Sequence, residues 1–181
     1  TGPVALERRL RDLLDALPAA VVALSGGVDS SVVALLATQV LGDRALAVTG
    51  VSPSLSGSEL GEVVALCERF GIRHKTVSTD ELSVGGYVAN TPERCYFCKS
   101  ELFGVLARVA LDAGAATVLD GTTADDVLGH RPGKRAAEEL GVRSPLLEVG
   151  ACKDDVRALA HRLGLPNAER PSSPCLSSRI A

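Results

Sequence analysis

Along residues 5 to 17, "ALERRLRDLLDAL", leucines recur at 6, 10, 13, 14 and 17 with charged residues between them. That period predicts an amphipathic helix, ended by Pro18. The pattern then changes. "AAVVALS" is a short continuous apolar run between Pro18 and a Gly-Gly pair, which predicts a strand buried on both faces. A helix is expected from Ser30 to Leu41, stopped by Gly42. "ALAVTGVS" from Ala45 reads as a second strand, "GSELGEVVALCERFG" from Gly57 as the next helix, and "IRHKTVST" from Ile72 as a third strand. An irregular segment to Arg94 precedes a helix from Tyr96 to Ala113, and "ATVLDGTT" from Ala116 reads as a fourth strand. Lys134 to Leu140 and Lys153 to Leu163 carry helical patterning.

Strands alternating with helices predict an α/β fold, a doubly wound parallel sheet covered on both faces. Ligands on such sheets sit outside the carboxyl ends of the strands. Three loops occupy that position: Ser25 to Ser30, Thr49 to Pro53, and Asp120 to Asp126.

The first of these, "LSGGVDSS", holds the clearest chemistry. Two glycines let the backbone turn tightly and bring its N–H groups toward a ligand, and the helix that follows offers its N-terminus. That combination suits phosphate. Asp29 would repel a phosphate directly, so it reads as a Mg²⁺ ligand or as a negative charge at the helix start. The lysine of G-x-x-x-x-G-K-[ST] is absent, which excludes the P-loop of kinases and GTPases. The alternative is a plain turn with a helix cap.

With 181 residues and 46% hydrophobic composition, the chain suffices for one well-buried core, so a single domain over 1–181 is expected. A net charge of −3 gives no general electrostatic grip on nucleic acid. No apolar run reaches the ~18 residues of a membrane span, and the start lacks a signal-peptide pattern, so a cytoplasmic location is expected. The chain begins Thr-Gly-Pro, contains no Met and stops after "CLSSRIA", from which a longer protein with a C-terminal region after 181 is expected.

The 5 cysteines are an odd number at irregular spacings, unlike a disulfide framework. Cys95 and Cys98 form a lone C-x-x-C, a weak metal or redox signal without a second pair. Cys67 falls in an amphipathic helix and reads as core, and Cys152 as a packing residue at a helix start. His74, His130 and His161 make no ligand pair. Arg94, Lys99, Arg131, Lys134, Arg143 and Arg179 suit an anionic, nucleotide-like substrate, with a solvated surface charge as the alternative for each.

"SGGVDS" resembles the S-G-G-x-D-S signature of the PP-loop ATP pyrophosphatases, which split ATP into AMP and pyrophosphate while adenylating a substrate. The resemblance implies a Rossmann-like PP-loop (adenine nucleotide alpha hydrolase-like) fold, with Ser25, Gly26, Gly27, Asp29 and Ser30 cradling the pyrophosphate end of ATP. "DGTTADD" is similar to the superfamily's second ATP-side loop. That adds Gly121 and Thr122, with Asp125 or Asp126 as a metal or substrate contact; a helix cap is the alternative for both aspartates. "RCYFCK" at 94–99, "RPGKRAAEELGVRSPL" at 131–146 and "CLSSR" at 175–179 together resemble the LarE family of sacrificial sulfur transferases, which act in maturation of the nickel-pincer cofactor of lactate racemase. The chain departs from that family's pattern at Thr123 and at Gly129-His130.

By that resemblance a carboxylate of pyridinium-3,5-biscarboxylic acid mononucleotide is adenylated with Mg²⁺ present, Cys175 supplies the sulfur, and the residue is left as dehydroalanine. A thiolate is the required nucleophile, and Arg170 and Arg179 would favour it. Arg143 and Arg179 are the candidate substrate-binding residues. Read locally, Cys175 is an inert loop thiol. Some family members are thought to use an iron–sulfur cluster on three cysteines, a set this chain does not identify. The family also implies a homo-oligomer. The rival readings are a tRNA-thiolating enzyme, which the acidic balance opposes, an amide-forming synthetase indifferent to Cys175, and a non-catalytic nucleotide-binding module.

Overall fold

The computed structural model of the protein describes residues 2–51, 56–78, 94–114, 117–127 and 141–170, with the backbone alone at 94–101 and 127. Helix α1 (Pro3–Asp15) begins two residues ahead of the leucine pattern because Pro3 occupies the first turn, where its missing N–H costs nothing. Leu6, Leu10 and Leu14 form its buried stripe. Strand β1 (Ala20–Ala23) follows, then α2 (Val28–Leu41) and a 3₁₀ turn over Gly42–Arg44 that leads into β2 (Ala45–Val51). Helix α3 (Gly57–Phe70) opens with a reciprocal cap: Glu59 N–H donates to Ser56 Oγ, and Ser56 N–H donates to Glu59 Oε2. Gly71, at φ +66°, closes it. Strand β3 (His74–Ser78), helix α4 (Arg94–Asp112), strand β4 (Thr117–Leu119), a 3₁₀ turn at Ala124–Val127, the one-turn helix α5 (Pro145–Glu148) and helix α6 (Lys153–Leu163) complete the described chain.

Among the described residues all strand pairs are parallel, in the order β3-β2-β1-β4. In the centre Val22 lies beside Ala47 on one side and Leu119 on the other. Ala20 and Val22 face a core shared with α1, α2, α3 and α6, whereas Val21 joins Val48, Val118, Phe103 and Leu106 of α4 on the opposite face. Both faces are therefore covered, as the alternating pattern requires. Helix α2 is buried nearly all round because the sheet covers one side and α1 and α6 the other. The chain winds outward from β1 through β2 to β3 and returns to the far side of β1 with β4. That reversal opens a crevice between the carboxyl ends of β1 and β4.

Among the differences from the sequence reading, three have a clear local reason. Helix α2 starts at Val28 rather than Ser30, since Gly26 alone takes the turn at φ +89° and Gly27 is extended as the N-cap. Strand β4 has three residues rather than eight because the Asp120 side chain accepts from the Thr122 N–H and hydroxyl and folds the chain back. The segment at Arg143 bridges to Leu119, with Arg143 N–H donating to Val118 O and Asp120 N–H to Arg143 O, so β4 gains a neighbour that no hydrophobic run announced. The expected helix at Lys134–Leu140 lies outside the described residues.

Candidate nucleotide-binding site

Ser25 to Ser30 leave β1 and form the first turn of α2. The first intrahelical bond runs from Ser31 N–H to Gly27 O at 3.1 Å, which leaves the N–H groups of Val28, Asp29 and Ser30 without carbonyl partners in the helix. The loop is braced from within. Ser25 N–H donates to Ser30 Oγ, the two hydroxyls lie 3.1 Å apart, and Ser31 Oγ donates to Gly27 O at 2.8 Å. A second brace comes from far along the chain: Asn167 Nδ2 donates to Gly26 O and to Ser31 Oγ, each at 3.0 Å. The amide orientation follows from the partners, because Gly26 O only accepts and Ser31 Oγ already donates elsewhere. Asn167 Oδ1 is buried without a hydrogen-bond partner.

The β4 loop abuts this turn. A Cβ added to Gly121 would stand 2.7 Å from Ser30 N and 3.0 Å from Asp29 C, so only glycine lets the two loops meet as they do. Asp120, buried beneath, also accepts from Ser144 Oγ at 2.7 Å. Asp126 Oδ2 accepts from the Thr123 N–H and hydroxyl, and Asp125 Oδ2 accepts from Lys153 N–H at 2.7 Å. Both aspartates thus cap local structure with one oxygen, Asp125 serving α6 rather than its own turn.

Lys153 completes the arrangement. Its Nζ lies 2.5 Å from Asp29 Oδ2 and 3.8 Å from Asp126 Oδ1, and both Asp29 and Lys153 are largely covered, at 17% and 27% side-chain exposure. Burial pushes the Asp29 carboxyl above the usual aspartate range, against the opposing pull of the Lys153 ammonium. Asp29 Oδ1 is buried without a hydrogen-bond partner. On the other side of Gly26 a cleft of about 610 Å³ runs between α3 and the Pro166–Arg170 segment, lined by Val63, Leu66 and Asn167. Arg170 pairs with Glu62 at its edge at 2.6 Å.

Of the residues singled out from sequence, Ser25, Gly26, Gly27, Asp29, Ser30, Gly121, Thr122, Asp125 and Asp126 converge in the β1/β4 crevice. Arg143 is held apart: its backbone belongs to the β4 bridge and its guanidinium pairs with Glu148 at 2.9 Å. Cys175 and Arg179 lie outside the described residues, as do Arg131 and Lys134. Cys95 and Cys98 fall in the first turns of α4. Cys67 is core, its thiol pushed up to about 11 by burial, and Cys152 is the N-cap of α6. Lys153 and Asn167 were not foreseen; no local signal marks a lysine that reaches Asp29, 124 residues away, or an asparagine that holds Ser31, 136 residues away. Among the described residues no group of three or more His, Cys, Asp or Glu is arranged to hold a metal ion, and no helix is long and apolar enough to cross a membrane.

A family model described as NAD synthase matches residues 5–89. An uncharacterised protein of Synechocystis is 48% identical over 171 residues, covering 94% of this chain and 64% of that protein. The pyridinium-3,5-bisthiocarboxylic acid mononucleotide synthase of Lactiplantibacillus plantarum is 39% identical over 160 residues, covering 88% of this chain and 58% of the synthase. The chain is thus similar, over most of its own length, to a synthase of the LarE family. It spans about three-fifths of the length of these two relatives. Its fold is that of an NMN synthetase from Francisella tularensis, with a TM-score of 0.76 over 98% of this chain and 77% of that one at 19% identity. The expected PP-loop α/β architecture is thereby borne out.

Proposed function

We propose that this protein is an ATP-dependent sulfur transferase that converts a carboxylate of pyridinium-3,5-biscarboxylic acid mononucleotide into a thiocarboxylate, with Cys175 as the sulfur donor. The observation that carries the ATP part is the meeting of the Ser25–Ser30 turn with Gly121 at the β1/β4 crevice, where unpaired helix N–H groups suit a pyrophosphate. The substrate follows the family and the name of the Lactiplantibacillus relative.

In this reading the substrate carboxylate attacks the α-phosphorus of ATP and pyrophosphate leaves. The Cys175 thiolate then attacks the acyl carbon and AMP leaves. Loss of the Cys175 α-proton with cleavage of its Cβ–S bond releases the thiocarboxylate and leaves dehydroalanine. Adenylation comes first because a carboxylate oxygen is a poor leaving group until phosphorylated. Ser25 and Ser30 hold the loop in shape, and Asn167 fixes the Gly26 carbonyl so that the neighbouring N–H groups face the crevice. A magnesium ion fits this end of the site, since Asp29 keeps a buried oxygen without a partner and Asp126 brings a second carboxylate nearby. When bound it would offset phosphate charge. Arg143 and Arg179 are assigned to the anionic substrate, Arg143 by exchanging Glu148 for it. A cytoplasmic, homo-oligomeric enzyme over a single PP-loop domain completes the proposal.

The test is intact-mass measurement of the full-length protein before and after incubation with ATP, Mg²⁺ and the biscarboxylate mononucleotide, with peptide mapping at Cys175. Loss of the elements of H₂S at Cys175 is expected. Pyrophosphate release with Cys175 unchanged would overturn the sulfur assignment and favour amide formation or an external sulfur source, the reading that the NAD synthase family match keeps in view.

A further inference from the structure

Lys153 stands where two loops bring carboxylates together. Asp29 comes from the turn after β1 and Asp126 from the loop after β4, and the Lys153 ammonium lies 2.5 Å from one and 3.8 Å from the other. The orientation of Asp126 is set by its Oδ2, which Thr123 engages with both N–H and hydroxyl, so that Oδ1 is the oxygen facing Lys153. The root of the lysine is equally fixed, because Asp125 holds the Lys153 N–H at 2.7 Å. Only the four-carbon stem is left to move. A clamped backbone with a flexible four-carbon stem lets the ammonium change partners without moving the helix.

Without a cation between them the two carboxylates would repel across the crevice. One ammonium relieves that repulsion, and so would a divalent cation, but the two compete for the charge of one carboxylate, since the ammonium holds Asp29 Oδ2 while Oδ1 is buried without a partner. We propose that Lys153 is an internal counter-ion: it holds Asp29 and Asp126 together in the nucleotide-free protein and is displaced from Asp29 when a divalent cation enters with the nucleotide phosphates, its charge then passing to the phosphate oxygens. The proposal rests on the reading that this crevice takes a metal–nucleotide. Its consequence is an order of events. Metal alone binds weakly because it must evict a cation that has no new partner, and nucleotide supplies that partner, so metal and nucleotide bind cooperatively.

The experiment is a Mn²⁺ titration of the full chain without nucleotide, with free Mn²⁺ read by electron paramagnetic resonance, in wild type, K153M, K153R and the double variant D29N/K153M. K153M is expected to bind Mn²⁺ at least tenfold more tightly than wild type, K153R to stay as weak as wild type, and the double variant to lose the gain. Adding a non-hydrolysable ATP analogue should tighten Mn²⁺ binding in wild type by at least tenfold and in K153M by much less. Equal Mn²⁺ affinity in wild type and K153M would overturn the proposal, as would a gain in K153M that survives loss of the Asp29 charge. K153Q, which removes the charge while keeping a polar head, replaces K153M if methionine prevents folding. The readout is independent of sulfur transfer. An unchanged Cys175 together with the expected Mn²⁺ pattern would end the donor assignment and leave the counter-ion in place.

Discussion

Replacing Gly121 with alanine tests whether the two loops of the crevice depend on backbone contact. Gly121 is outside the left-handed region, so alanine meets no conformational penalty there and the substitution isolates sterics. The new Cβ would stand 2.7 Å from Ser30 N, against 3.4–4 Å for ordinary contact, so the loops must part by roughly 0.7 Å. Both sides of the contact are backbone and neither has a rotamer to yield. Overpacking of this kind costs about 1–3 kcal/mol, and a misplacement approaching 1 Å between positioning groups costs on the order of 10- to 100-fold in rate. We expect G121A to lower the guanidinium unfolding midpoint without changing the slope, and to reduce ATP-dependent pyrophosphate release by that factor. Gly61 is the control. It lies inside α3 with nothing within 4 Å of its added Cβ, so G61A should gain about 0.5–1 kcal/mol. A G121A protein within about 0.5 kcal/mol of wild type, with undiminished pyrophosphate release, would refute the contact between the loops.

N167D should keep the fold but weaken nucleotide binding more than N167A does, because a carboxylate places negative charge against the Gly26 carbonyl where the amide donated; calorimetric titration with an ATP analogue reads the difference. Glu7 joins α1 to α6, and hydrogen bonding from Arg162 and then Arg11 holds its carboxyl below the usual glutamate range. A depressed folded pKa contributes stability above the unfolded value that is lost as pH falls through the folded one. E7Q should therefore unfold about 0.5–1.5 kcal/mol more easily at neutral pH, with the gap closing in acid below about pH 4.3. Cys67, buried and with its thiol pushed up to about 11, should resist iodoacetamide in the native state and label only on unfolding, as followed by peptide mapping.

The sequence displayed the sheet and the first half of the crevice because both rest on local signals. Apolar runs bounded by Gly and Pro mark buried strands, and "SGGVDS" between a strand and a helix carries its own chemistry. The second loop was legible as a place, though not in its division of labour: nothing in "TADD" says that Asp125 caps a helix starting at Lys153 while Asp126 caps its own turn. Lys153 and Asn167 were illegible for a different reason. Each is an ordinary polar residue in or just beyond an amphipathic helix, and each acquires meaning only when packing carries α6 and the segment after it to the start of α2. The bridge at Arg143 was missed because one hydrogen-bonded pair beside β4 has no periodicity to detect.

The central place of β1 has a further consequence, for how the protein comes to be folded. Ala20 pairs with Ala45 close by in sequence, but also with Thr117, and no short hairpin can stand in for that second pairing. The crevice does not exist in a chain that has only formed β1, β2 and β3, so folding must close a loop of most of the chain before a nucleotide has anywhere to bind. A ligand that recognises the finished crevice then stabilises the whole β-sheet at once, by about 2.7 kcal/mol at a hundredfold excess over its dissociation constant. A rise in melting temperature on adding nucleotide would thus report that the last long-range strand has docked, as well as that the loop is occupied.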